Sequence, residues 1–583
     1  MTSRYAARKF QAIEKQYGLN IRYNSVSLNG YNSILIKGLT IVSGNPDVLM
    51  YANSFVIKAN FWKSNFSRED VNGFEIRELH IRHARAKRMS DGRPDYASLI
   101  KRALEKTAFL YAFLPPYVSI RDIYFSCQNK ENEQTYHLPA LTISGNRLMA
   151  EAPGQWVCHG MYNENFSRIS LRLYAKEHEK VNLPFVTDYA GATVKFDTLS
   201  IDLQTKKNID NVQILQGGIG AKGLLLHHKS LSPDVINIGR LSANYRLFVG
   251  ENFLEVDSSA TSVRYRQLSF NPFLRIEKNR KWTIRAALDK NDFPADNLFT
   301  SLPEGLFKNL DGLRVSGTLS YHFLLNVNMA MVNNLVFESV VRPRNFKIVK
   351  YGNTDLSKMS KPFTHQIYSK DKMVRSFEVG VRNPDFRPFN AISRYLPPAI
   401  MHGEDFAFYN HRGFYSEAFH KSLVENISTG SFQRGASTLS MQLVKNVFLN
   451  QDKTMARKLE EILIVWLIEN NRLTSKSRMF EVYMNIIEWG PNVYGITEAA
   501  RFYFAKDPST LTLGECIFLA YIIPNPRYLR NYFTGSRLKY QYYEFFSDAV
   551  RRMAQRNLIS WGDAARANAD VNFRGQALEY LTR

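Results

Sequence analysis

The stretch Thr454–Leu473, TMARKLEEILIVWLIENNRL, decides how this chain is read. Its centre is apolar nearly all round, with Leu459, Ile462, Leu463, Val465, Trp466 and Leu467 in close succession. A helix of that kind belongs inside a domain core. Its first turns are different. Arg457 and Lys458 precede Glu461 by four and three residues, so a helix gathers two cations and one carboxylate on one face. That face reads either as a surface salt-bridge cluster or as the charged mouth of a site.

Outward from this helix, the pattern stays helical from about residue 390 onward. SRMFEVYMNIIEW, GITEAARFYFA, TLGECIFLAYII and YQYYEFFSDAVRRMAQRNLI continue it. Thr512 with Glu515 forms a capping-box pattern, and Pro524 and Pro526 end the helix that follows. Before residue 390 the period is two. SILIKGLTIV, SFVIKANFW, FEIRELHIRHA and RLSANYRLFV are strand-like, punctuated by turn clusters such as Ser43-Gly44-Asn45-Pro46 and Asp91-Gly92-Arg93-Pro94. A helical insert is expected around 96–113. The expectation is a multidomain α and β protein: a basic helical stub over 1–20, an elongated all-β layer or groove over 21–330, a connector over 331–385, and a mainly α domain over 386–575.

The 583 residues are 45% apolar and 22% charged, ordinary globular values that exclude collagen-like, low-complexity and wholly disordered chains. Lysine plus arginine minus aspartate plus glutamate is 76 − 53 = +23. Such a field attracts anionic lipid, phosphate-bearing substrates or nucleic acid. The last is disfavoured, because no zinc-finger or aromatic RNP-like block occurs and the basic residues are spread along the whole chain. Three cysteines, Cys127, Cys158 and Cys516, have no CxxC spacing and read as free thiols. No stretch reaches the roughly 18 uninterrupted apolar residues of a membrane span. The first twenty residues lack a signal-peptide h-region and suggest a short basic amphipathic helix, of a soluble protein or of the segment following a membrane anchor.

The chemistry concentrates in four blocks. Glu404–Gly413 reads EDFAFYNHRG. If helical, Glu404 and His411 share a face, and a carboxylate among aromatics has a raised pKa suited to a base. From spacing alone, ordinary acidic residues at a helix start are the better reading. Arg434–Asn446 reads RGASTLSMQLVKN, where Ser437, Gln442, Lys445 and Asn446 could donate to an anion or merely flank an N-cap. Lys453, Arg457, Lys458 and Glu461 form the third block. Lys476, Tyr483 and Asn485, at helical spacing, form the fourth.

Together these blocks resemble glycosyltransferase family 51, the peptidoglycan glycosyltransferases of class A penicillin-binding proteins and monofunctional transglycosylases. Glu404, Asp405 and His411 meet E-D-x-x-F-x-x-H-x-G. Gly435, Ser437 and Thr438 meet G-x-S-T. Arg457, Lys458 and Glu461 meet R-K-x-x-E. Lys476, Tyr483 and Asn485 meet the last block, and Glu488–Phe504 looks most like the monofunctional branch. The resemblance implies a lysozyme-like domain that polymerises lipid II into β-1,4 glycan and releases lipid pyrophosphate. It makes Glu404 the general base and Glu461 the second essential carboxylate, orienting cations or holding a divalent metal such as Mg or Mn. Asp405, His411, Ser437, Thr438, Gln442, Lys445, Asn446, Lys453, Arg457, Lys458, Lys476, Tyr483 and Asn485 would bind substrate. No organic cofactor is implied.

Two departures stand out. Met441 replaces the first of two family glutamines, which keeps an inactive scaffold as the alternative reading. Lys453 replaces an arginine, exchanging a bidentate fork for a point charge. The pyrophosphate leaving group calls for cations, whereas a glycoside hydrolase needs a second carboxylate to protonate a sugar. The cationic cluster therefore favours transfer over hydrolysis. Ser98-Leu99-Ile100-Lys101 spells a transpeptidase S-x-x-K, but no K-T-G triplet occurs and no transpeptidase activity is expected.

The N-terminal half resembles AsmA-like envelope proteins more loosely, through LIKGLTIV, LHIRHARAKRMSDGRPDYASL and LPEGLFKNLDGLRVSGTLSYHFLLN. That resemblance implies a lipid groove and an N-terminal membrane anchor, while the glycosyltransferase resemblance implies the periplasmic face of a bacterial inner membrane, with lipid II, nascent glycan, the membrane and other cell-wall synthesis proteins as partners. Two decoys are set aside. Gly218–Gly223 spells GxGxxG but is followed by no convincing helix, so a β-turn is expected. His227 and His228 would point to opposite faces of a strand.

Overall fold

The computed structural model describes all residues except 1–10, 12–13, 16–18, 44–47, 62–67, 84–113, 130–131, 164–166, 178, 184–185, 189–190, 208–211, 370–371, 432–434, 451, 453, 536 and 583. The helical insert expected at 96–113, most of the stub at 1–20, the Ser98–Lys101 motif and Lys453 lie outside the described residues.

Among the described residues, the N-terminal half is one continuous sheet of 22 strands. Its pairings are antiparallel apart from Val71–His83 beside Tyr117–Asn129, which is parallel and so needs a crossover of a dozen or more residues. The register draws one apolar side chain from strand after strand into a single row. It runs Ile36, Phe55, Ile76, Ile120, Leu141, Ala150, Cys158, Leu173, Leu199, Ala221, Leu241. Residues paired across neighbouring strands share a face, so the whole row lines one side of the sheet. At its N-terminal end Ile36, Leu39, Ala52, Ile76, Leu79 and Ile123 make a small buried core. Elsewhere Ala150 and Ala221 are buried and the other members are half-buried. The other face is polar, and carries His80 stacked on Tyr124 at 4.7 Å and Tyr124 on His137 at 4.7 Å.

The GxGxxG run lies inside the strand Gln213–His227, not in a turn. The physical reason is close approach. A Cβ on Gly220 would come within 2.9 Å of Ser200 Oγ, one on the adjoining Gly217 within 1.9 Å of the Asp202 carbonyl oxygen, and Gly223 (φ +63°) sits at a register shift between Ala221 and Leu224. The glycines let the strands close and bulge. Cys158 and Cys516 are free thiols.

Residues 331–385 carry strands. Val336–Lys350 pairs with Arg314–Asn328 as the last strand of the sheet, and Phe363–Ser369 with Lys372–Val379 forms a hairpin. The long strand is exposed nearly throughout, with only Phe337, Phe346 and Ile348 half-buried, so its sequence shows no alternation. Helices follow: Leu396–Gly403, Ser416–Thr429, Leu439–Phe448, Met455–Asn470, Lys476–Ile486, Ile496–Phe504, Leu513–Ile522 and Tyr540–Gln555. The capping box between Thr512 and Glu515 is present. No helix among the described residues is long and apolar enough to cross a membrane.

The core of the helical part extends beyond it. Phe299, Leu310, Leu313, Leu356, Met359 and Val379 are buried in the same cluster as Val465, Tyr483, Trp489 and Phe518. Val315 and Leu319 of the Arg314–Asn328 strand belong to the same cluster, and with each large apolar side chain worth about 1.5–3 kcal/mol on burial, the end of the sheet is held to the helices by apolar packing.

Candidate active site

Pro397 and Pro398 start the Leu396–Gly403 helix, where their missing N–H groups cost nothing, and Glu404 caps its C-terminus. Residues 405–413 are turns rather than helix, so Glu404 and His411 do not share a helical face. His411 instead pairs with Asp405, its Nε2 lying 3.0 and 2.9 Å from the two carboxylate oxygens. Asp405 is buried and also accepts from the Leu439 amide at 3.0 Å. Thr438 caps the Leu439–Phe448 helix by accepting from the Met441 amide, and its hydroxyl donates to the Gly413 carbonyl at 2.7 Å. Asp405, His411 and Thr438 thus lock the Glu404 turn onto the next helix.

That helix presents Gln442, Lys445 and Asn446. Tyr483, fully buried on Lys476–Ile486, donates to Gln442 Oε1 at 2.9 Å. The Gln442 amide therefore turns its N–H toward Glu404, donating to Oε2 at 2.5 Å. Burial, with Glu404 and Asp405 nearby, holds the Tyr483 phenol well above its ordinary pKa, so it stays a donor. Burial also raises the Glu404 pKa, against the lowering effects of the Gln442 hydrogen bond and Lys445. The result is a half-buried carboxylate, oriented by one amide, with its pKa shifted upward, the direction that suits a base.

Lys445 links Glu404 to the cations. Its ammonium reaches solvent yet is ringed by protein, and this desolvation lowers its pKa while Glu461 and Glu404 pull it up. Glu461 is buried on Met455–Asn470 and accepts from Arg457 Nη1 at 2.8 Å and Lys458 Nζ at 2.6 Å. Lys458 also donates to the exposed Ser437 hydroxyl at 3.2 Å. Asn446, half-buried, follows Gln442 by one helical turn. The outcome is a carboxylate at one end, the Arg457 guanidinium and Lys458 ammonium at the other, and the Lys445 ammonium between them.

Both Glu461 oxygens are engaged by cations, so a dication there would sit against Arg457 and Lys458. Among the described residues no group of three or more His, Cys, Asp or Glu could hold a metal ion. The donor set does not fit a divalent metal, and no step is derived through one.

Two expected site residues are used elsewhere. The Asn485 carboxamide accepts from the Arg387 amide at 2.9 Å and donates to the Arg387 and Glu481 carbonyls at 2.8 Å, clamping the chain that enters the domain. Lys476 pairs with buried Glu469 at 2.6 Å, and Glu469 also accepts from Ser440 at 2.5 Å. Spacing identified the helix of each residue but not the direction it faces. Glu469 and Ser440 went unnoticed because their partners lie many residues away. Met441 is buried in the core, so the cleft glutamine is Gln442.

Comparison with known proteins agrees with this geometry. Residues 370–545 match the family described as Transglycosylase. A protein named biosynthetic peptidoglycan transglycosylase from Methylobacillus flagellatus is 43% identical over 140 residues, 24% of this chain and 60% of the relative. One so named from Dechloromonas aromatica is 44% identical over 141 residues, again 24% and 60%. Another, from Acinetobacter baumannii strain SDF, is 37% identical over 153 residues, 26% of this chain and 67% of the relative. The match therefore spans three-fifths of the first two relatives' own length. The family match at 370–545 takes in the Glu404 turn, the Gln442 helix and the Glu461 cluster, and through this region the chain belongs to the transglycosylase family.

Proposed function

We propose that the protein is a peptidoglycan glycosyltransferase that joins lipid II units into β-1,4 glycan. The observation that carries this reading is Lys445 standing between the Glu404–Gln442–Tyr483 line and the Arg457–Lys458–Glu461 cluster. Glu404 takes the proton of the acceptor sugar's 4-hydroxyl as that oxygen forms a bond to the donor's anomeric carbon. The bond from that carbon to the pyrophosphate oxygen breaks, and the lipid pyrophosphate leaves with the electron pair. Lys445, Arg457 and Lys458 stabilise the negative charge that develops there, and Ser437 and Asn446 extend the phosphate and sugar contacts. Glu461 orients the cations. The reading assigns no transpeptidase step, and covalent labelling by a penicillin would overturn that part.

The test is incubation of the full chain with labelled lipid II, beside Glu404→Gln. A polymer ladder from the wild type alone supports the assignment. Reducing-end fragments from preformed glycan would point to hydrolysis. Binding of lipid II with no polymer from either protein would favour an inactive scaffold.

For the sheet we propose an envelope role at the periplasmic face of the inner membrane, with its apolar row as a groove for lipid chains. The row supports this because it runs unbroken across strand after strand while Phe55, Ile120, Leu141, Leu173, Leu199 and Leu241 stay only half-buried. Mass spectrometry of the purified protein tests it, and absence of any co-purified lipid would count against it.

A further inference from the structure

The helix that carries Arg457, Lys458 and Glu461 has a second charged residue that the proposed chemistry does not use. Glu460 is buried, and its carboxylate turns to the end of the sheet. Oε1 accepts from the Asn309 amide at 2.6 Å and the Leu310 amide at 3.2 Å, and Oε2 accepts from Asn309 Nδ2 at 3.2 Å. These donors come from residues 151 and 150 positions away. The same helix begins against the sheet: the Met455 amide donates to the Ser230 carbonyl at 3.0 Å and the Ala456 amide to the Leu231 carbonyl at 2.9 Å. The loops around 230 and 305 are stitched together. The Ser232 hydroxyl donates to the Gly305 carbonyl at 2.7 Å, and Lys308 pairs with Asp234 at 2.6 Å.

Two sheet loops thus form a cradle for the start of one helix. Residues 456 and 460 turn to the cradle, and residues 457 and 461 to the site, one step around the same turns. A buried carboxylate is costly unless its hydrogen bonds are met. Here they are met only if the helix keeps its register and rotation against the 301–313 loop. We propose that Glu460 is a positioning residue, through which the sheet fixes the rotation of the cation-bearing helix and so the place of Arg457, Lys458 and Glu461. A second brace of the same kind holds the neighbouring helix. Lys358 donates to the Val447 carbonyl at 3.0 Å, at the C-terminus of the helix that bears Gln442 and Lys445. The sheet end is then a working part of the transferase.

The inference rests on the transfer reaction above, and its test separates the two. Full-length wild type, Glu460→Ala and Glu460→Gln are compared for lipid II polymerisation and for amide hydrogen exchange across 455–470. Glu460→Ala lowers kcat at least tenfold with KM for lipid II within twofold. Glu460→Gln, whose amide oxygen still accepts the two backbone N–H groups, stays within threefold of wild type. Exchange rises over 455–463 in Glu460→Ala and is unchanged over 513–522. A folded Glu460→Ala with wild-type kcat, or Glu460→Gln as impaired as Glu460→Ala, overturns the proposal. If the wild type makes no polymer, the reaction reading fails and exchange alone decides: wild-type protection over 455–463 in Glu460→Ala overturns the positioning role. Should Glu460→Ala not fold, Asn309→Ala carries the test, with a threefold loss of kcat expected at constant KM and wild-type kcat overturning it.

Discussion

Glu404 and Lys445 set opposite limbs of one pH profile. As the proposed base, Glu404 would work ionised, and burial has raised its pKa above the ordinary 4.5. The rate therefore falls as pH drops through that raised value. Lys445 works protonated, and burial has lowered its pKa from 10.5, so the alkaline limb begins early. The kcat/KM profile should be bell-shaped, and Glu404→Gln should cost about 10²–10⁴-fold in kcat while lipid II binding persists. Met441 is a different kind of residue. Its side chain lies in the core, so Met441→Gln buries an amide and should lower stability by about 1–3 kcal/mol with no gain in rate, read by denaturant unfolding. The cation cluster was legible because Arg457, Lys458 and Glu461 are three and four residues apart. Glu404, Gln442 and Tyr483 meet across 38 and 41 residues, and no periodicity carries that distance. Only the motif resemblance brought them together, and it carried Asn485 along, which the structure assigns to backbone clamping.

At the scale of elements, the turn after Glu404 depends on Gly413. Its φ is +86°, and a Cβ there would stand 2.3 Å from Val465 Cγ1 on the Met455–Asn470 helix. Gly413→Ala combines a left-handed backbone with overpacking, each worth about 1–3 kcal/mol. It should lower the unfolding temperature and cut kcat, because the carbonyl held by Thr438 moves with the turn. Wild-type kcat in this variant would detach the turn from the site. Helices and inner strands were readable where one face is buried, since burial imposes the period. Val336–Lys350 was not, because only Phe337, Phe346 and Ile348 are partly covered and they set no period along the strand. The glycine run at 218–223 misled for a related reason: small residues signal a close approach but do not say whether a turn or a neighbouring strand makes it.

For the whole molecule, the decisive fact is where the core begins. The sequence changes period near residue 390, yet the buried cluster starts at Ala295 and takes in Leu356 and Met359. Period reports which face of an element is buried, not which partner buries it, so the boundary of the cooperative unit could not be read that way. Arg478 adds polar ties across the same seam, donating to the Met359, Lys361 and Val379 carbonyls. If residues 295–380 and the helices share one core, they unfold together. Met359 is fully buried outside the helical region, so Met359→Ala should cost about 2–5 kcal/mol, and the loss should appear in the helices. The helical circular dichroism signal and the loss of polymerising activity should both shift to lower temperature, by the same amount. A helical transition that stays at its wild-type temperature, with only the sheet signal shifted, would mean that the seam divides two independent units. The brace at Glu460 would then have nothing rigid behind it.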